Sequence, residues 1–225
     1  MEKLDGLKYH QIVNNNFKEL LEAHGYKKIK STTFGRIVND DIFQYIHFQA
    51  PMKGLKLFFV SFNVNLLFVK KPDYYSLAYN LGHRINFFGS IFNERLLQYN
   101  SDFLLDNSVK LIKQALENYV FEWLNNHDNL ISVVNTYKNE DDAILRQPDT
   151  EWADITLAYI NLKLGNKDIA IEIAKRILYN PPFHQVKIPI LEDILSHQND
   201  NDQQIKKYLN DIVAENKKML KFGKL

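Results

Sequence analysis

The chain has 225 residues, 45% hydrophobic and 24% charged, ordinary values for a folded globular body that exclude wholesale disorder and fibrous repeats. Twenty-eight Lys and Arg against 27 Asp and Glu leave a net charge of +1, which argues against nucleic-acid binding driven by bulk electrostatic attraction. Cysteine is absent, so disulfides, thiolate zinc sites and a cysteine nucleophile are excluded within the chain.

The first residues, Met1 to Asn16, mix Glu2, Asp5 and Lys8 with three successive Asn and lack the apolar core of a signal peptide. The most apolar stretch, Leu55 to Val69, is interrupted by Lys56, Ser61, Asn63 and Asn65, short of the roughly 20 apolar residues a membrane helix needs. The expectation is a soluble, cytoplasmic protein with no membrane partner.

In chain order, Ile12, Val13, Phe17, Leu20 and Leu21 recur at helical spacing, which predicts a helix over Tyr9 to His24 stopped by Gly25. Tyr26 to Lys30, Thr33 to Val38, Ile42 to Gln49 and Leu55 to Phe68 are rich in β-branched and aromatic residues and separated by short turns, the pattern of an antiparallel meander. In the fourth strand Phe58, Val60, Phe62, Val64 and Leu66 share the face expected to pack under the first helix. Less periodic residues follow, with short strands expected around Leu81 to Phe87 and Glu94 to Tyr99. From Ser108 the stripe Val109, Ile112, Ala115, Leu116, Tyr119, Val120 and Trp123 predicts a helix that closes over the sheet.

Helices are expected thereafter over Leu130 to Asn139, Thr150 to Leu164, Lys167 to Tyr179, Ile188 to His197 and Asp202 to Lys221. Polar and proline-containing stretches, Asn139 to Asp142 and Arg146 to Asp149, predict a soft boundary near residue 147. The fold class expected is α+β: an N-terminal antiparallel sheet domain over residues 1–147, packed by helices, then a C-terminal all-helical subdomain over residues 148–225.

Thr150 to Pro182 resembles a tetratricopeptide hairpin through Leu157, Ala158, Gly165, Ala170, Ala174 and Pro182. The repeat's Trp and Tyr positions hold Asp154 and Asn161, and no second copy follows, so a single helical hairpin is expected.

Seven histidines are scattered without metal-ligand spacing, no phosphate-binding loop or serine elbow is present, and neither metal nor cofactor is expected. His127 and His197 read as exposed loop or helix-end residues. Asp40-Asp41, Glu140-Asp141-Asp142 and Glu192-Asp193 fall at turns or helix ends, where acids cap and solvate.

His47 stands apart, beside Tyr45 and Gln49 on the strand face opposite Gln44, Ile46 and Phe48. A polar row of this kind is ordinarily the solvated side of a half-covered sheet. The sharper alternative is a ligand groove in which Tyr45, His47 and Gln49 join Ser61, Asn63 and Asn65, with His83 and Arg84 contributing from the next strand. Arg36 and Arg84 add to the candidates, because arginine in a lysine-using chain suits bidentate anion contacts, although an ion pair within the sheet serves as well.

Gly25-Tyr26-Lys27-Lys28, Thr33-Phe34-Gly35-Arg36 and Ile46-His47-Phe48-Gln49, with Gly82-His83-Arg84-Ile85 later, occur in an order that resembles the bacterial domain of unknown function 4304 family over residues 9–125. Gly35 stands where an aromatic residue is expected. The resemblance implies a fold and a bacterial setting, and assigns no activity or catalytic residue. The expectation for function is a binding protein with a protein partner, of the immunity or antitoxin type. The alternative is a hydrolase or nuclease using His47, His83 and Arg84, which requires the two imidazoles to converge on one reacting site.

Overall fold

A computed structural model of the chain describes residues 8–49, 56–70, 81–85, 97–138, 150–179 and 188–220. Helix α1 (Tyr9–Ala23) buries Ile12, Val13, Phe17 and Leu21 along one stripe. It stops where Gly25, at φ +81°, lets the Tyr26 and Gly25 amides donate back to the Leu21 and Glu22 carbonyls, both at 3.0 Å.

Five strands follow: β1 (Lys27–Lys30), β2 (Thr33–Val38), β3 (Ile42–Gln49), β4 (Phe59–Leu66) and β5 (Leu81–Arg84). They form one antiparallel sheet in the order β1-β2-β3-β4-β5, the meander that the short turns predict. The β2–β3 turn uses Asn39 and Asp40 at φ 49° and 59°, a left-handed geometry these two residue types tolerate. Register runs Thr33↔His47, Phe34↔Ile46, Gly35↔Tyr45 and Arg36↔Gln44, and directly opposed residues share a face.

The first sheet face carries Phe34, Gln44, Ile46, Phe48 and Phe62, extended by Phe58 just before β4. Phe17 of α1 stacks on Phe48 at 4.7 Å between ring centroids and meets Phe58 edge-on at 5.9 Å. The rest of this face lies under a second helical segment, α2 (Asp102–Ala115), a π-helical turn (Leu116–Val120) and α3 (Phe121–Asn125), whose Trp123 meets Phe62 edge-on at 5.2 Å. The apolar row from Phe58 to Phe62 is thus divided, with α1 at its start and α3 further along.

The π turn corrects the predicted stripe. Its wider hydrogen bond, from the Phe121 amide to the Leu116 carbonyl, inserts one residue and turns later side chains by about 100°. Ile112, Ala115, Leu116, Val120, Phe121 and Leu124 are buried, whereas Tyr119 is 42% exposed. The helix also begins earlier than its apolar stripe, at a Ser101 cap whose hydroxyl accepts the Leu104 amide at 3.3 Å.

Strands β4 and β5 are shorter than predicted, ending at Leu66 and Arg84. Of the stretch expected to pair around Glu94 to Tyr99, Gln98 forms a single antiparallel bridge to Leu57, and Glu94 to Leu96 lie outside the described residues. The 147 boundary, the Glu140 to Asp142 acids and Pro182 also lie outside them. The chain divides into two compact units, Met1–Val64 with Gly82–Asn129 and Asn65–Leu81 with Leu130–Leu225.

In the second unit, α4 (Leu130–Lys138), α5 (Thr150–Lys163), α6 (Lys167–Tyr179), α7 (Ile188–Ser196) and α8 (Asp202–Met219) match the predicted helices to within two residues at each end. α5 and α6 form the hairpin, with Ala158, Ala170 and Ala174 fully buried and Gly165 at φ +81° in the turn. Around this unit's own strand-derived segment, Asn216 of α8 donates to the Leu67 and Val69 carbonyls at 2.7 and 3.0 Å, and Lys163 of α5 lies over the Phe68 ring.

Candidate functional site

The second sheet face is built from β1 to β5 residues of one parity: Lys27 and Lys30, Thr33 and Gly35, Phe43 to Gln49 in alternation, Phe59 to Asn63 in alternation, and Gly82 with Arg84. Asn65, farther along β4, is buried. No Asp or Glu occurs anywhere in the five strands. At the β2–β3 turn end this face is closed, with Phe43 and Tyr45 stacked at 5.3 Å and buried. A Cβ at Gly35 would collide with the Phe43 ring and the Ile29 side chain, so the position where an aromatic residue is expected is filled by a ring from the neighbouring strand.

Towards the other end the face opens. His47 is partly exposed and shares a 2.9 Å hydrogen bond between its Nδ1 and the Thr33 hydroxyl. Partial burial, and then the Lys30 charge nearby, hold its pKa below the ordinary imidazole value. Gln49 and Arg84 are exposed, Phe59, Ser61 and Asn63 half-buried, and the Arg84 guanidinium sits 5.8 Å from the Phe59 ring centroid. Gly82 leaves the room that the Asn63 amide occupies beside it.

Tyr45, His47, Gln49, Asn63 and Arg84 therefore lie on one face, although Tyr45 is buried. Arg36 and His83 do not join them. Arg36 lies on the covered face, 4.6 Å above the Tyr26 ring, donating to Gln44 Oε1 at 2.9 Å, Asn125 Oδ1 at 2.5 Å and the His24 carbonyl at 3.2 Å. His83 is buried on that same face, edge-on to Trp123 at 5.3 Å and 5.7 Å from Phe62. Neighbouring residues of a strand point to opposite sides, so His83 cannot act beside Arg84, and it stands across the sheet from His47. The convergence that the hydrolase or nuclease reading requires is not formed.

Comparison with protein-family models, with curated proteins and with solved structures finds no match. Among the described residues no helix is long and apolar enough to cross a membrane, and no three His, Asp or Glu side chains gather as metal ligands.

Three polar features escaped the sequence. Gln44, fully buried, donates from Nε2 to the Leu124 and His127 carbonyls while its Oε1 accepts from Arg36 and from the Tyr26 hydroxyl. His127, expected to be exposed, is buried and stacked on Trp123 at 4.0 Å, its Nδ1 donating to the Trp123 carbonyl. In the helical unit Tyr208 donates to Asp193, which is ion-paired with Lys70 at 3.1 Å. Tyr159 lies 3.2 Å from the Tyr208 hydroxyl, and His197 stacks on Tyr208 while bonding Asp200 at 2.7 Å. Burial raises the pKa of both tyrosines, keeping them neutral hydrogen-bonding groups. The available signal was a polar residue inside an apolar row, as Gln44 stands among Ile42, Ile46 and Phe48.

Proposed function

We propose that this chain is a non-catalytic binding protein of the bacterial cytoplasm, of the immunity or antitoxin type, and that it docks a partner protein on the open end of its sheet. The likeness to the domain of unknown function 4304 family belongs to the same reading. The observation that carries it is the character of that surface. Imidazole, amide, hydroxyl and a guanidinium set over an aromatic ring are spread partly or fully exposed across the sheet, with no convergence on a single reacting point among the described residues. Such a mixture suits a protein interface, where aromatic and Arg anchors carry binding and amides adapt around them.

The test is co-purification from the native host, with the wild type beside an Arg84→Glu/Phe59→Ser variant whose changes are confined to this surface. A protein partner retained by the wild type and lost by the variant supports the reading. Retention of a small molecule with no protein partner overturns it.

A further inference from the structure

Strand β1 forms one edge of the sheet, paired with β2 alone. Among the described residues its outer backbone has no hydrogen bond, and Lys27, Lys28 and Lys30 are exposed without an ion pair. Lys27 and Lys30 fall on the face that carries His47, and Lys28, opposite Phe34, on the other. Three like charges repel an identical edge, which is how natural sheets keep such strands from pairing with copies of themselves. The same charges attract an extended segment rich in carboxylates, and no Asp or Glu in any strand competes for them.

Resting on the binding reading above, we propose that β1 accepts an extended acidic segment of the partner as a sixth strand. Backbone hydrogen bonds supply the pairing, and carboxylates alternating over Lys28 on one side and Lys27 and Lys30 on the other supply the choice of partner. The incoming strand would widen the face that bears His47 and Gln49, so the edge and the face form one continuous docking surface.

The test uses the full chain, isotope-labelled, with a synthetic eight-residue peptide repeating Asp-Asp-Val-Val, which presents carboxylates on both faces of a strand, its Lys-Lys-Val-Val counterpart, the acidic peptide N-methylated at every residue so that neither edge can pair, and an oligothymidylate of the same length. The expected result is amide shift changes centred on β1 and β2, binding of the acidic peptide at least tenfold tighter than the basic one, and loss of that preference in a Lys27→Glu/Lys28→Glu/Lys30→Glu variant. These side chains are exposed, and circular dichroism verifies that the variant is folded. Equal binding of both charge types, undiminished binding of the N-methylated peptide, shifts away from β1, or tighter binding of the oligonucleotide each overturns strand addition. A native partner held by the wild type with unchanged affinity in the triple variant would overturn this inference alone and leave the binding reading standing.

Discussion

The Asn216 amide donates to the Leu67 carbonyl at 2.7 Å, across 149 residues of sequence, and to the Val69 carbonyl at 3.0 Å. Asn216 is only 5% exposed, so these carbonyls have no ready exchange with water. Leaving a buried acceptor unpaired costs about 1–3 kcal/mol. Asn216→Leu, close in size, is expected to destabilise the protein by about that amount or somewhat more, read as a fall in the urea midpoint. A fragment beginning at Leu130 lacks both carbonyls and Lys70, and its helices are expected to melt with lower cooperativity than those of the full chain.

Gln44 uses both donors and both lone-pair directions of its amide, joining β3 to the carbonyls at the end of α3 and to Arg36 and Tyr26. Gln44→Met keeps the length and removes the network, for an expected loss of about 2–4 kcal/mol. Thermal unfolding of Gln44→Met beside Gln49→Met provides the control, because Gln49 is exposed and its replacement should be nearly neutral.

Phe62 is fully buried, whereas Trp123 is only partly so. Phe62→Ala is expected to cost about 3–5 kcal/mol. Trp123→Ala, although it removes the larger ring, is expected to cost less, because part of the indole already meets solvent. Equilibrium denaturation of the two variants decides the order.

His47 carries the pH dependence of the open face. Its folded pKa lies below the ordinary value near 6.5, so in that window the unfolded chain binds more protons than the native state. Its contribution is therefore fully present above about pH 6.5 and is lost as pH falls through the folded value. Acidification from neutral pH should lower the melting temperature of the wild type more than that of His47→Gln. At about pH 7.5, above both pKa values, the two should differ little, since the Thr33 hydrogen bond is partly exposed.

Much of the architecture is legible in the sequence because two periods differ plainly. Ile12, Phe17 and Leu21 repeat as a helix does, and Phe58, Val60, Phe62 and Val64 as a strand does. The site is less legible. Which face a four-residue strand presents depends on its register with a neighbour, so the sequence around His83 and Arg84 cannot tell which of the two shares a face with His47. The π turn is similarly silent, since Leu116 to Val120 carry no composition that distinguishes one extra residue in a turn, and Tyr119 is displaced from the core as a result. Gln44 and Asn216 were visible as polar breaks in apolar rows, but their partners include carbonyls, which every residue possesses.

The contact between Gly35 and the Phe43 ring has an evolutionary corollary. One pocket between adjacent strands holds one ring, supplied here by position 43. A related sheet bearing an aromatic residue at position 35 would have to surrender volume at 43 or 29, so these positions should change in concert, with neither substitution tolerated singly. Gly35→Phe alone should misfold, and Gly35→Phe with Phe43→Gly should recover much of what is lost.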